Sequence, residues 1–266
     1  MKRAAIIFLL FLFYQTLAVA LAYVGQRLFA PSGTETGGLL AHPVVLGIAQ
    51  LVSLLLTLAL LLALRLVRVR PWPQHGGAGR REGAAVLFGF VLLAFGLSLL
   101  LEPLQLEDHG QAAVFNGMKG NALCLLLLAV LGPAFEELAF REGILRSLAV
   151  KGVRPLYACI VSALLFALAH GNLQQAVPAA LLGMALGLVY CRWQDLRLCV
   201  LLHVCNNSAA VLLLFFPSLQ SGADALPLPW LLALGGVGTV AGAAVLLRLC
   251  RCVLSAKALP VADRRP

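Results

Sequence analysis

Eight apolar runs dominate this chain of 266 residues. They fall at roughly 4–24, 43–64, 84–101, 121–149, 155–171, 176–191, 198–216 and 228–247, each close to the length of about 17–25 residues that a helix needs to cross a bilayer. In lipid a backbone finds no water to bond, so a spanning segment must satisfy its own N–H and C=O groups, and a helix does this within one run of chain. The composition agrees: 61% of residues are hydrophobic, 12% are charged and the mean hydropathy is +0.96, whereas soluble domains are roughly 45–50% apolar. The expected fold is therefore all-α, a polytopic membrane helix bundle of about eight transmembrane helices. Residues 1–266 are expected to form one integral membrane domain, because no connection is long enough to hold a second folded unit.

The net charge of +9 raises the question of a nucleic-acid partner, and its distribution answers it. Lys2 and Arg3, then Arg65, Arg68, Arg70, Arg80 and Arg81, then Arg146, Lys151 and Arg154, then Arg192 and Arg197, and finally Arg248, Arg251, Lys257, Arg264 and Arg265 occupy alternate connections. The intervening ones hold only Arg27 and Lys119. This alternation follows the positive-inside rule and places both termini in the cytoplasm. With no soluble basic domain, no nucleic-acid role is expected. The N-terminus imitates a signal peptide, but its apolar core exceeds the usual 7–15 residues or so, so it reads as an uncleaved first helix. The lean architecture suggests a bacterial inner membrane. Cys124, Cys159, Cys191, Cys199 and Cys205 lie within apolar runs without zinc or redox spacing and read as packing residues. Gly183 with Gly187, and Gly238 with Gly242, have the spacing that lets membrane helices approach closely. Internal packing is the expectation there, a dimer face the alternative.

Against this background the stretch from Leu131 to Leu148, LGPAFEELAFREGILRSL, is anomalous, since it carries Glu136, Glu137, Arg141 and Glu142 in an apolar helix. Ionisable groups in hydrocarbon are costly, at least about 2.5–3.5 kcal/mol each, and tend to mark functional sites. Glu137 and Arg141 stand four apart in the favourable order for an ion pair. Glu136 points about 100° away around the helix. It is offered no such partner, and in dry surroundings it would suit the work of a general base. Pro133 interrupts the backbone ladder and is expected to bend the helix. Two further places carry polar groups, His170 and the run His203, Asn206 and Asn207. His203 and Asn207 are four apart and offer two hydrogen-bond donors to one point, the outline of an oxyanion site. His42, His75 and His109 fall in loops. With a rise of about 1.5 Å per residue, Glu136 and His170 lie at similar depths of roughly 21–22 Å from the cytoplasmic edge, while His203 is offset from them by about 10 Å. A tilted helix, a deeper Arg197 or a water-filled cone would be needed to bring His203 to the others.

The three motifs, in this order, resemble the CPBP family of intramembrane proteases, the CAAX-protease and bacteriocin-processing family. EELAFR, Glu136 to Arg141, matches its Glu-Glu-x-x-x-Arg element; FALAH, Phe166 to His170, matches Phe-x-x-x-His; HVCNN, His203 to Asn207, matches His-x-x-x-Asn. The resemblance covers about 121–216, which marks the expected catalytic core. It implies peptide-bond hydrolysis by a water held between Glu136 and His170, with His203 and Asn207 stabilising the oxyanion, and Glu137, Arg141 and Phe166 in support. One departure is Glu142, where the family commonly has Gly; an extra acid there could share the charge of Arg141.

Read chemically, Glu136 takes a proton from the attacking water and passes it on to the leaving amine. Ser98, Ser162 and Ser208 lack a convincing base, so a serine mechanism is disfavoured. Members of the family have been described both as glutamate proteases and as metalloproteases. The metal-free glutamate route, with no cofactor, is favoured here; the alternative is zinc or another divalent metal held by Glu136, His170 and His203. The substrate is expected to be a protein or peptide, membrane-associated or free, and membrane lipids are the other partner. A non-enzymatic role in bacteriocin self-immunity, as a scaffold or as a proton-coupled transporter is the competing class, and the absence of internal duplication weighs against transport.

Overall fold

A computed structural model describes residues 1–29, 43–68, 77–107, 110–216 and 226–258. His42, His75, His109, Arg70, Arg264 and Arg265 lie outside the described residues. Within them every regular element is helical: α1 (Lys2–Phe29), α2 (Pro43–Ala63), α3 (Arg80–Leu101), α4 (Gln111–Met118), α5 (Ala122–Val150), α6 (Pro155–Leu168), α7 (Leu173–Trp193), α8 (Leu196–Phe215) and α9 (Leu228–Ser255). Seven of these are long and apolar enough to cross a membrane, all but α4 and α6.

The expected span at 155–171 is the point of difference. Helix α6 has only 14 residues, a rise of about 21 Å against a hydrocarbon core of about 30 Å. Local chemistry stops it. Gly171 adopts φ +73°, which a residue without Cβ accepts readily, and the Asn172 side chain then accepts the Gln175 N–H at 2.9 Å to cap the start of α7. Helix α7 consequently begins at Leu173, three residues before the apolar run suggested.

In lipid, side-chain burial by itself drives little helix association, so packing and polar contacts must hold the bundle. The glycines supply the packing. A Cβ on Gly238 would meet the Gly96 Cα at 3.2 Å, and one on Gly242 would meet the Leu93 nitrogen at 2.4 Å, so α3 and α9 are interlocked backbone to backbone. Gly183 faces Phe166 and Ala163, and Gly187 faces Cys159 and Leu145. Both glycine pairs are thus spent inside the molecule, which overturns the dimer-face alternative for them. The opposite face of α9 carries Val237 and Val240, about 70% exposed, as a lipid-facing surface requires. At one end of the bundle Arg3 reaches the Leu66 carbonyl at 3.3 Å and the Arg65 carbonyl, closing the last turn of α2, where Arg65 has φ 54°.

The centre is aromatic. Phe11 of α1 stacks on Phe135 with ring centroids 5.8 Å apart and meets Phe140 edge-on at 4.9 Å, and Phe140 meets Phe166 at 5.0 Å. These rings join α1, α5 and α6 around the charged residues of α5.

Candidate active site

Helix α5 is not a uniform α-helix. It widens into π turns at Leu127–Leu131 and Leu138–Leu145, a local geometry often found at functional sites. Gly132 and Pro133 permit the first. The Gly132 N–H reaches back to Leu127 O, and a Cβ at Gly132 would stand 2.8 Å from that same oxygen. Pro133 has no N–H to place, so the ladder tolerates a change of register there. The wide turns leave carbonyls that side chains from other helices take up. Asn207 Nδ2 donates to Leu128 O at 3.1 Å and Ser162 Oγ donates to Phe140 O at 3.0 Å. Ser162 thus has a structural bond where sequence had weighed it as a nucleophile.

Between the two wide turns stand Glu136 and Glu137, in different surroundings. Glu137 is fully buried, and its Oε2 lies 3.1 Å from Nε of Arg141, itself fully buried. The geometry is that of an ion pair and not of a directed hydrogen bond, because the Nε and both Nη groups of Arg141 have no hydrogen-bond partner among the described residues. Its guanidinium carbon lies 5.0 Å from the centre of the Phe166 ring, a cation–π contact. The other Glu137 oxygen accepts from His203 Nδ1 at 2.9 Å. Because a carboxylate can only accept, the proton sits on Nδ1, and Nε2 is turned to Glu136.

There the gap is 3.7 Å between His203 Nε2 and Glu136 Oε2, and the Glu136 side chain keeps 24% of its exposure. This separation exceeds a direct hydrogen bond and suits a bridging water. His170 donates from Nδ1 to Phe166 O at 2.8 Å, which leaves its Nε2 as an acceptor. Its ring meets Phe166 edge-on at 4.8 Å, and Phe166 meets His203 at 5.7 Å. Phe166 therefore packs against both histidines. Among the described residues no ion pair or hydrogen bond joins Glu136 to His170, and the imidazole within 4 Å of Glu136 is that of His203. The axial offset expected for His203 does not keep it from the acidic pair.

Glu142 corrects another expectation. It does not share Arg141: one oxygen pairs with Arg146 and the other accepts the Tyr190 hydroxyl at 2.5 Å. The link to Arg146 was legible, since Glu142 and Arg146 obey the same four-residue rule as Glu137 and Arg141. Tyr190, 48 residues away, had no such signal. Cys124, Cys159, Cys191, Cys199 and Cys250 are buried, with Cys159 and Cys191 side by side at 3.4 Å, whereas Cys205 is half-buried and Cys252 exposed. Among the described residues no three of His, Cys, Asp and Glu converge closely enough to hold a metal. His170 and His203 each keep Nε2 free while Nδ1 is bonded, to Phe166 O and to Glu137, the arrangement in which a histidine commonly holds a metal through its other nitrogen.

An integral membrane helix bundle with a buried carboxylate–imidazole cluster is thus the class that fold and site define. The comparisons narrow it: residues 119–209 match the family model "Type II CAAX prenyl endopeptidase Rce1-like", so a CAAX-protease domain of the CPBP type is present in this chain, as the three motifs implied. The curated relative found, a membrane peptidase candidate named YdiL from Bacillus subtilis (strain 168), is 22% identical over 111 residues, 42% of this chain and 45% of its own length. The chain therefore aligns with less than half of that relative. No solved structure matches.

Proposed function

We propose that this protein is an intramembrane endopeptidase of the glutamate type, with one membrane domain and a catalytic core at about 121–216. The observation that carries the reading is the line Arg141, Glu137, His203, Glu136, in which a buried ion pair fixes an imidazole whose free edge faces a partly exposed carboxylate across 3.7 Å. Glu136 is the general base. It takes a proton from a water as the oxygen attacks the scissile carbonyl, and returns that proton to the leaving amine, directly or through the free Nε2 of His170. The developing oxyanion is stabilised by the Asn207 amide and by His203 in its doubly protonated form, in which Nδ1 stays bonded to Glu137 and Nε2–H donates to the oxygen. One amide hydrogen of Asn207 is held by Leu128 O, which orients the group and leaves its second hydrogen to donate. Glu137 and Arg141 hold His203 in bearing, and Phe166 packs against both imidazoles. The substrate is a peptide or protein held at the membrane, and both termini of the chain face the cytoplasm.

The test is cleavage of a quenched fluorescent library of lipidated and unlipidated peptides by the full chain in detergent, beside Glu136→Gln, with and without a strong chelator. Cleavage that survives chelation and disappears in Glu136→Gln, with folding intact, is the expected result. Loss on chelation, restored by zinc, would replace this mechanism with the metal route. Peptide-independent function surviving Glu136→Gln would move the chain to the immunity or scaffold class.

A further inference from the structure

The family match covers residues 119–209, yet α1 packs on that region and bonds it through Gln15. Gln15 Nε2 donates to Ala169 O at 2.8 Å, across 154 residues of sequence. An amide inside a membrane helix is a liability unless it is bonded. Thr16 beside it meets this need within its own helix, bonding Leu12 O and Phe13 O. Gln15 instead crosses to α6.

The carbonyl it meets has a particular position. Ala169 closes α6 immediately before His170, and the last carbonyls of a helix have no intrahelical N–H to accept from. The chain turns away at Gly171, φ +73°, and among the described residues no backbone N–H bonds Ala169 O. Gln15 supplies the missing donor. The same last turn sets the His170 ring, through Nδ1 to Phe166 O and the edge contact with Phe166. Helix α1 is itself fixed against α5 next to Glu136, by Phe11 stacked on Phe135 and Tyr14 edge-on to Phe135 at 5.1 Å.

We infer that Gln15 is a positioning residue for His170: by bonding Ala169 O it holds the last turn of α6, and with it the bearing of the imidazole beside Phe166, so that the N-terminal helix is a working part of a site whose motifs lie in the matched segment. The role in turnover rests on the peptidase reading; the positioning of His170 does not.

The experiment therefore has two readouts on the full chain in detergent. The first is the rate of carbethoxylation of His170 by diethyl pyrocarbonate, followed by mass spectrometry, with His203 as internal reference. Gln15→Leu removes the donor, and Gln15→Asn, one methylene shorter, cannot reach the carbonyl and serves if the leucine variant folds poorly. Freed from one hydrogen bond, the last turn opens more often, and His170 reacts about fivefold faster in both variants while His203 keeps its rate. The second is cleavage of the best library peptide, where kcat falls about tenfold with KM nearly unchanged. Gln15→Glu adds a signature that general loosening would not produce: its protonated carboxyl can donate to Ala169 O, its carboxylate cannot, so its activity and its His170 labelling approach wild type only at acid pH. Unchanged labelling of His170, or equal acceleration at His170 and His203, overturns the inference. A wild-type chain that cleaves no peptide overturns the peptidase reading, and the labelling still decides for or against Gln15.

Discussion

Glu137→Gln should destabilise this protein more than removing the whole ion pair does. The carboxylate of Glu137 lies 3.1 Å from Arg141 Nε, both side chains are fully buried, and the remaining guanidinium nitrogens have no hydrogen-bond partner among the described residues. At that distance and an effective dielectric of about 20, the Coulomb attraction is about 5 kcal/mol. The substitution preserves shape but leaves Arg141 as a buried charge with only the Phe166 face beside it, and breaking a buried pair this way costs about 3–5 kcal/mol. The expected fall in the thermal midpoint is roughly 6–20 °C, measured in detergent by circular dichroism. Adding Arg141→Met to Glu137→Gln removes the stranded charge and fills its space with an apolar chain, so the double variant should recover most of the loss while His203 stays unbraced. A double variant as unstable as the single one would refute the argument that uncompensated charge, and not lost shape, is the penalty.

Gly242→Ala places a Cβ 2.4 Å from Leu93 N and 2.6 Å from Gly89 O, so α3 and α9 must separate; a loss of about 1–3 kcal/mol is expected. Gly236→Ala on the same helix meets nothing within 4 Å and should gain about 0.5–1 kcal/mol from helix propensity. The two thermal midpoints should move in opposite directions, and a parallel shift would contradict the interlocked packing. Tyr190→Phe deletes the donor to Glu142, a hydrogen bond to a charged group worth about 1.5–3 kcal/mol. Since Arg146 still pairs with Glu142, the loss should stay well short of that for Glu137→Gln, and a greater one would mean that Tyr190 and not Arg146 is the main support of Glu142.

The residues of the candidate site were legible because the bilayer makes them conspicuous: in a chain so poor in charge, Glu136, Glu137, Arg141, His170 and His203 stand out against the apolar runs. Pairs on one helix were legible as well, since a spacing of four fixes their common face. Contacts between helices were not. The bond from His203 to Glu137 spans 66 residues, and nothing in either segment encodes the rotation of α8 that makes it. The widened turns of α5 were hidden for a related reason: hydropathy reports which residues prefer lipid but not which carbonyl each N–H selects. Only Gly132 and Pro133 hinted at the first of them. The short α6 could have been read from Gly171 and Asn172, a left-handed turn followed by a cap, but the apolar run around them hid it.

The interlock of α3 with α9 also has a consequence in time. Helix α3 ends at Leu101 and α9 begins at Leu228, so ribosomes working at about 5–20 residues per second begin the second helix roughly 6–25 seconds after the first is complete. For that interval the glycine groove of α3 stands open in the bilayer while the helices bearing the charged cluster insert. Helix α9 is therefore the latch of the interlock, and a nascent chain stopped before it would present the quality-control machinery with a charged core and an unfilled groove.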